Sequence, residues 1–388
     1  MSDRYDVAVI GAGPAGAMAA HQTAQRGARV LLVDKARFPR PKVCGGCLSA
    51  QALRILHDTG LCRDDDPPLI QGPRLHALHL ACGRHATTID LPSGLAVCRS
   101  SLDAALARAA QAAGATFLDG VTASLDAWGS PYHRIALRVG GGATRYIEAR
   151  VVLVADGLAG TFLPDEPAWR SCIARHALIG LGAIADGDPA FYQPGVIYMA
   201  CGFAGYVGLV RLGDGRLNMA AAVQPDWVRA RGGPGRAVAS LLEQAGWPGG
   251  ESLISLRWRG TPALTRYRSS VARQRLFVLG DAAGYAEPFT GEGIAQALRS
   301  GVMAATLALR AAQRWESELA RCWQRWRKQT IGSQQRRCWW ITQALRRPWL
   351  VRTAITALAC QPRLAQRWAR RIAAPQESAA HHDLITCS

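Results

Sequence analysis

The sequence predicts an α/β protein: a doubly wound parallel sheet, interleaved with a second β-sheet domain and followed by a helical C-terminal tail. Three observations predict it. A glycine-rich turn joins an apolar strand to a small-residue helix near the start of the chain. Two further apolar strands, far along the chain, end in an Asp–Gly and a Gly–Asp pair. From about residue 313 onward, tryptophans alternate with arginines in segments of helical composition.

Residues 7–10 are short, apolar and mostly β-branched, which reads as a buried parallel strand. Gly11, Gly13 and Gly16 follow as G-x-G-x-x-G, with Pro14 and Ala15 between them. In that motif the first glycine permits the tight turn and the second lets a pyrophosphate approach the backbone. The third lets the helix pack closely on the strand. The Ala-rich helix stops at Gly27, and its N-terminus offers free N–H groups and a positive dipole end to a phosphate. Residues 30–33 form a second strand that delivers Asp34, followed by Lys35, where an acid binds a ribose 2′-hydroxyl. Strand, turn, helix, strand and acid together read as a Rossmann-like dinucleotide site.

Residues 37–49 form a loop rich in proline and glycine, and a helix follows over 50–60. Residues 61–98 read as short strands broken by turns, one of them at Pro92–Gly94. Arg99 stands just ahead of a helix capped by Ser100 or Ser101, with Asp103 in its first turn and Gly114 at its end. Strands over 115–155 deliver Asp156–Gly157. Residues 160–270 are β-rich, with strands at 179–185, 195–199, 205–211 and 217–223, a hairpin turn at 213–215 and a helix at 234–245. A buried strand then ends in Gly280–Asp281, and a long helix runs from Ile294 to about residue 312. This gives a discontinuous cofactor domain (1–60, 99–160, 271–312), a substrate domain (61–98, 161–270) and a tail (313–388).

With 49% apolar residues and a mean hydropathy of +0.01, the 388-residue chain is globular rather than disordered. The formal charge is +18, and 13 of those charges fall between residues 310 and 371, where 15 Arg and Lys face only Glu316 and Glu318. Seven of the 12 tryptophans lie in the same tail: Trp315, Trp323, Trp326, Trp339, Trp340, Trp349 and Trp368. Two readings stay open. The tail packs its tryptophans on the body, or it lies in an anionic membrane interface with its arginines towards the headgroups. No nucleic-acid module accompanies the charge, which argues against a nucleic-acid partner. No stretch of 18 uncharged apolar residues is present, so no spanning helix is expected. The 11 scattered cysteines, and a first strand that leaves no room for a leader, point to reduced thiols in the cytoplasm, with at most a peripheral place on the inner membrane face.

The three glycine and acid motifs occur in a telling order: Gly11–Gly16 with Asp34, then Asp156–Gly157, then Gly280–Asp281 with Pro288 and Gly291-Glu292-Gly293-Ile294. They resemble the FAD-dependent oxidoreductases of the p-hydroxybenzoate hydroxylase-like superfamily. Lys42-Val-Cys44-Gly45-Gly46 looks like the loop signature of that superfamily's geranylgeranyl reductase branch. The resemblance spans roughly residues 5–310 and implies FAD as cofactor, with NAD(P)H as transient reductant. It places Arg99 beside the cofactor and Asp156 in a stretch serving both FAD and nicotinamide. Asp281 would accept hydrogen bonds from ribityl hydroxyls, and the helix begun by Gly291 and Gly293 would stabilise the anionic charge of reduced flavin. The chain departs from the pattern at Val154, where the family has glycine. It departs again at residues 206–210, Tyr-Val-Gly-Leu-Val, where the branch has an aromatic strand ending Trp-x-Phe-Pro. The Trp-x-Trp-x-Ile-Pro motif of flavin-dependent halogenases is absent.

The implied chemistry is C=C reduction or oxygen-dependent hydroxylation of a hydrophobic, polyketide- or isoprenoid-like molecule. Two alternatives are a membrane-docked electron-transfer flavoprotein and a disulfide reductase using Cys44 and Cys47. No second C-x-x-C or histidine pair accompanies those cysteines, so no metal site is expected. The sequence does not single out a general acid or base among His57, His76, His79 and Tyr206.

Overall fold

The computed structural model describes residues 3–62, 69–140, 142–187, 189–249, 251–287, 289, 291–345 and 347–360. The chain opens with β1 (Asp3–Ile10), α1 (Pro14–Ala24) and β2 (Val30–Asp34), then leaves for a second sheet with β3 (Cys47–Leu48), α2 (Ala50–Asp58), β4 (Arg74–Cys82) and β5 (His85–Ala96). It returns through α3 (Arg99–Ala112), β6 (Thr116–Asp119), β7 (Val121–Ala127), β8 (His133–Val139) and β9 (Thr144–Val154). A second excursion lays down β10 (Ser171–Ile173), β11 (Ile179–Ala185), β12 (Val196–Gly202), β13 (Gly205–Arg211) and β14 (Leu217–Val223). Helices α4 (Pro225–Ala230) and α5 (Pro234–Gln244) follow, then β15 (Arg259–Ala263) and β16 (Arg266–Arg268). The chain closes with β17 (Ala272–Arg273), β18 (Leu276–Val278), β19 (Gly284–Tyr285), α6 (Gly293–Gln313), α7 (Ser317–Leu345) and α8 (Pro348–Cys360).

The first sheet runs β17-β18-β9-β1-β2-β6, with β7 and β8 attached beside β9. Its strands β18, β9, β1, β2 and β6 are parallel. Covered on both faces, β2, β18, the second half of β1 and the end of β9 are continuous apolar runs rather than alternating ones. Val7, Val9, Leu32, Val152, Val154 and Phe277 are fully buried. Helix α1 is buried on every side, and α6 crosses it so closely that a Cβ on Gly301 would lie 2.5 Å from the Ala15 carbonyl oxygen. The second sheet runs β15-β11-β14-β13-β12-β4-β5-β3, and a small third one β10-β16-β19.

Three expectations are corrected. Residues 74–96 form one long hairpin, and Pro92–Gly94 lies inside β5 rather than in a turn. The register breaks between Leu75 and Ala77, which leaves Pro92, with no N–H to donate, outside the ladder. Gly94 is needed because β3 passes over it: a Cβ there would sit 2.7 Å from the Leu48 oxygen. The cap of α3 is Cys98, not Ser100 or Ser101, and no side chain caps it. Arg99 is therefore the first helical residue, and Asp103 lies a turn further in, where Arg99 reaches it.

The tail divides. Trp323 is fully buried, stacks on Trp326 at 5.2 Å and meets Phe277 edge-on, so the first half of α7 belongs to the body. Trp339, Trp340 and Trp349 are 38%, 67% and 63% exposed. Trp368 and the basic residues beyond position 360 lie outside the described residues. Among the described residues no helix is long and apolar enough to cross a membrane.

Candidate functional site

Parallel pairing brings the C-terminal ends of β2, β1, β9 and β18 to one edge. Gly11 donates its N–H to the Val33 oxygen, Ala155 to that of Ile10 and Leu279 to that of Val154, each at 2.7 Å. The turns leaving that edge wall one end of a cavity of about 530 Å³. Gly11 has φ +102, and a Cβ on it would stand 2.3 Å from the Ala155 oxygen, so only glycine fits. Gly13 caps α1 and opens to the cavity, a Cβ there meeting only Arg40 Nη2 at 3.7 Å. Gly16 serves packing instead, with its Cβ position 1.9 Å from the Gly11 oxygen. Asp34 accepts the Ala12 and Ala36 N–H groups, each at 2.9 Å, so it pins the turn as well as facing the cavity.

A charged network lies beside these turns. Arg99 grips the fully buried Asp103 through Nε and Nη2 at 3.0 and 2.9 Å. Arg40 spans Asp103 at 3.3 Å and Asp34 at 3.5 Å. Burial opposes the charge of Arg99, yet Asp103 and Cys44 hold its guanidinium above the ordinary value. Burial lowers Lys42 and raises Asp281, and each partly restores the other's charge. Arg40 Nε is buried with no hydrogen-bond partner. The helix starts at Gly13 and Gly293 both line the cavity, as do Arg40, Lys42 and Arg99. A glycine cradle, two helix N-termini and an unused guanidinium N–H are what a dinucleotide pyrophosphate requires, so the residues present fit such a group.

The other end of the cavity is apolar, lined by Leu78, Leu91, Ile197, Met199, Leu264 and Phe289 among others. Tyr206 on β13 faces it, its ring edge-on to Phe289 at 5.2 Å. Burial first, then Glu287, raises its phenol well above the ordinary value.

Of the residues singled out by sequence, Gly11, Gly13, Pro14, Ala15, Asp34, Lys42, Cys44 and Gly45 line the cavity from the first half of the chain, with Arg99, Asp156 and Gly157. Gly280, Asp281, Gly291, Glu292, Gly293 and Ile294 line it from the second. Asp156 is raised by burial and accepts the Phe162 N–H at 3.0 Å, holding its own turn. Three residues do not line the cavity. Gly16 lies under the turn, Lys35 donates to the Ala159 oxygen at 3.2 Å, and Gly46 (φ +71) shapes the loop beside Asn218. Pro288 lies outside the described residues.

The histidines are elsewhere. His57 pairs with Asp58 on the surface of α2, His76 lies beside Gly195, and His79 stacks on Trp247 on the far face of the second sheet. Cys44 and Cys47 are free thiols, and burial pushes Cys47 up to about 12, the opposite of a reactive thiolate. Sequence reasoning missed Arg40 and the Asp103 bridge; the one available signal was the cluster of basic residues ahead of the paired glycines.

Comparison with known proteins agrees with this geometry. Residues 4–166 match the FAD binding domain family. The chain is 29% identical over 340 residues to a menaquinone reductase of Mycobacterium tuberculosis, covering 82% of this chain and 81% of that protein. It is 27% identical to a digeranylgeranylglycerophospholipid reductase of Methanosphaerula palustris, covering 86% and 84%. In fold it is similar to a geranylgeranyl bacteriochlorophyll reductase-like protein from Thermoplasma acidophilum, with a TM-score of 0.76, 19% identity and full coverage of both chains. It is also similar to a flavin-dependent brominase, with a TM-score of 0.77 at 17% identity over 99% of this chain and 98% of that one.

Two expectations follow from the site. Gly13→Glu places a carboxylate where the pyrophosphate would lie, and the purified variant is expected to be colourless where the wild type is yellow, read as the ratio of flavin to protein absorbance. The second concerns Glu292, which accepts from Ser49 at 3.5 Å and is pushed by burial up to about 7 from an ordinary 4.5. A folded-state acid with a raised pKa keeps a proton that the unfolded chain releases. Its stability contribution is therefore full below the unfolded value and falls as pH rises through the folded one. Glu292→Gln cannot ionise, so its urea midpoint is expected to gain on the wild type between about pH 5 and pH 8.

Proposed function

Because the chain belongs to the FAD-dependent oxidoreductases, in their geranylgeranyl reductase-like branch, we propose that it reduces a carbon–carbon double bond in a hydrophobic isoprenoid- or polyketide-like molecule. The observation that carries this reading is one cavity joining the glycine turns and charged network to an apolar wall. The relatives named as reductases support reduction over hydroxylation. Gly11, Gly13 and the start of α1 hold the FAD pyrophosphate, with Arg40 Nε as donor. Asp34 faces the adenosine ribose, Asp281 the ribityl chain, and the start of α6 the pyrimidine edge. Reduced FAD, when bound, supplies the electrons of the reduction, and NAD(P)H is the proposed source that replenishes them. The chain's own part is to orient both molecules and to exclude water. Leu78, Met199, Leu264 and Phe289 do the latter, which keeps the charges of Lys42, Arg99 and Asp281 in a medium of low polarity.

The exposed Trp339, Trp340 and Trp349 give the tail a second role in this reading: docking on an anionic membrane. Helix α8, which carries Trp349, also packs Val351 and Ile355 into the cluster of Leu78, Tyr206 and Phe289 at the apolar end of the cavity. An apolar substrate would pass from lipid to cavity over a short path.

Turnover without oxygen separates the two chemistries. With substrate and NAD(P)H under nitrogen, product is expected to gain two hydrogens at an undiminished rate; loss of activity without oxygen would replace this reading with hydroxylation. For docking, the triple variant Trp339→Ala, Trp340→Ala, Trp349→Ala is expected to lose most of its co-sedimentation with phosphatidylglycerol vesicles while keeping its FAD. Each basic residue near such a surface contributes on the order of 1 kcal/mol, so high salt is expected to weaken binding of the wild type.

A further inference from the structure

The loop over residues 42–46 has its back to the second sheet and its front to the cavity. Behind it, Val43 lies against Gly182 of β11, where a Cβ would stand 3.1 Å from Val43 Cγ1. Asn218 of β14 donates from Nδ2 to the Cys44 carbonyl oxygen at 3.0 Å. Val97 donates its N–H to the Gly46 oxygen at 2.7 Å, and the Cys47 thiol donates to the Gly45 oxygen at 3.4 Å. All three carbonyl groups of Cys44-Gly45-Gly46 are therefore taken. Among the described residues, their N–H groups meet no acceptor. Backbone donors in that state, on the wall of a cavity, are open to a ligand.

The peptide plane gives one of these donors a direction. In a trans peptide the C=O and the following N–H point to opposite sides. The Cys44 oxygen is turned back to Asn218, which does not line the cavity, so the Gly45 N–H is turned forward, and Gly45 does line it. Nothing in the fold asks for glycine at 45: its φ is not positive, and a Cβ there would meet nothing within 4 Å. Gly46 differs, with φ +71 and a Cβ position 2.9 Å from Asn218 Nδ2. A glycine that neither backbone nor packing requires marks the close approach of a ligand. Asn218 shares its face of β14 with Ala220 and Ala222, both on the cavity wall, so a rigid strand sets its position.

We propose that Asn218 is a positioning residue for the flavin: by holding the Cys44 oxygen it aims the Gly45 N–H at a ring carbonyl oxygen of bound FAD, and so favours the reduced cofactor. Reduction by two electrons leaves negative charge that the ring carbonyl oxygens share, and a fixed donor holds an oxygen more strongly as its charge grows. Asn218 does this without touching the cofactor, from the sheet that carries the apolar wall. The proposal rests on the reading that FAD occupies this cavity.

The test uses the FAD-loaded protein without substrate and two variants, Asn218→Leu, which keeps the volume and removes the donor, and Asn218→Ala, which serves if the first does not fold. By dye equilibration at pH 7, the ratio of reduced to oxidised flavin at a given potential is expected to drop about three- to tenfold, a midpoint lower by about 15–30 mV. With FAD carrying carbon-13 at its two ring carbonyls, one infrared C=O band of the bound flavin is expected to rise in frequency, as a carbonyl that loses a donor does, while the other stays. The proposal is overturned if the midpoint of the variants equals that of wild type. It is equally overturned if the midpoint falls while neither band moves, because the side chain then acts by loop packing alone. A failed anaerobic turnover assay would replace the reduction chemistry and leave both readouts unmoved, so the two failures are distinct.

Discussion

The site depends on one constraint, the shared register of four parallel strands. Ile10 pairs with Val33 on one side and Val154 on the other, and Val154 with Val278. Their C-termini then open at the same level, and each following turn, Gly11 to Gly13, Asp34, Asp156 and Gly280, falls beside the others. A slip of one residue in any pair would carry its turn about 3.3 Å out of line with the others, so the pairing that builds the core also fixes the turns. Two contacts lock the arrangement from the outside. Gly11 accepts no side chain because Ala155 is against it, and Gly301 lets α6 lie directly on α1. The residues that would hold a phosphate come from positions as distant as 11 and 293, yet the sheet leaves them no freedom to part.

Charge at the cavity is organised around a residue that touches no solvent. Asp103 is fully buried and receives Arg99 and Arg40 together, while Arg40 also reaches Asp34. Removing the acid would leave Arg99 buried without its counter-charge and Arg40 with Asp34 alone, a loss typically of about 3–5 kcal/mol for a broken buried pair. The return on this arrangement is orientation rather than stability. Arg40 is held so that its Nε remains free.

How much of this was legible in the sequence follows from range. The glycine fingerprint, Asp34, Asp156 and the Gly280 turn were legible because each is a local strand-to-turn signal, and the strands at 179–185, 205–211 and 217–223 were legible as runs of β composition. Misreadings came where a distant partner overrides local preference. Pro92 and Gly94 have the composition of a turn, but β4 pairs with β5 on both sides of Pro92 and β3 pairs just beyond Gly94, which keeps the segment in a strand. Ser100 and Ser101 are good caps, but α3 starts earlier, where Arg99 can reach Asp103. Arg40 carried no motif at all; only the fold brings it to two acids far apart in sequence. The tail resisted for the same reason. Its tryptophans are alike in composition, and only contact with Phe277 distinguishes buried Trp323 from exposed Trp340.

The second sheet meets two demands with one alternation. Its strands turn Tyr198, His79, Met219 and Val207 to one face, where Tyr192 and Trp247 complete an aromatic core. Their immediate neighbours, Leu78, Met199, Tyr206 and Gly208, necessarily turn to the other. Bulk and rigidity can then be concentrated on the face that faces no ligand, leaving the opposite one free to be low and smooth. A branched residue at position 208 would suit the strand better by propensity, and nothing in the backbone forbids it. The strand bears that weakness beside the buried Tyr206, on the face that lines the cavity. Sites where a sequence accepts local cost without a local reason are where function is expected to be written.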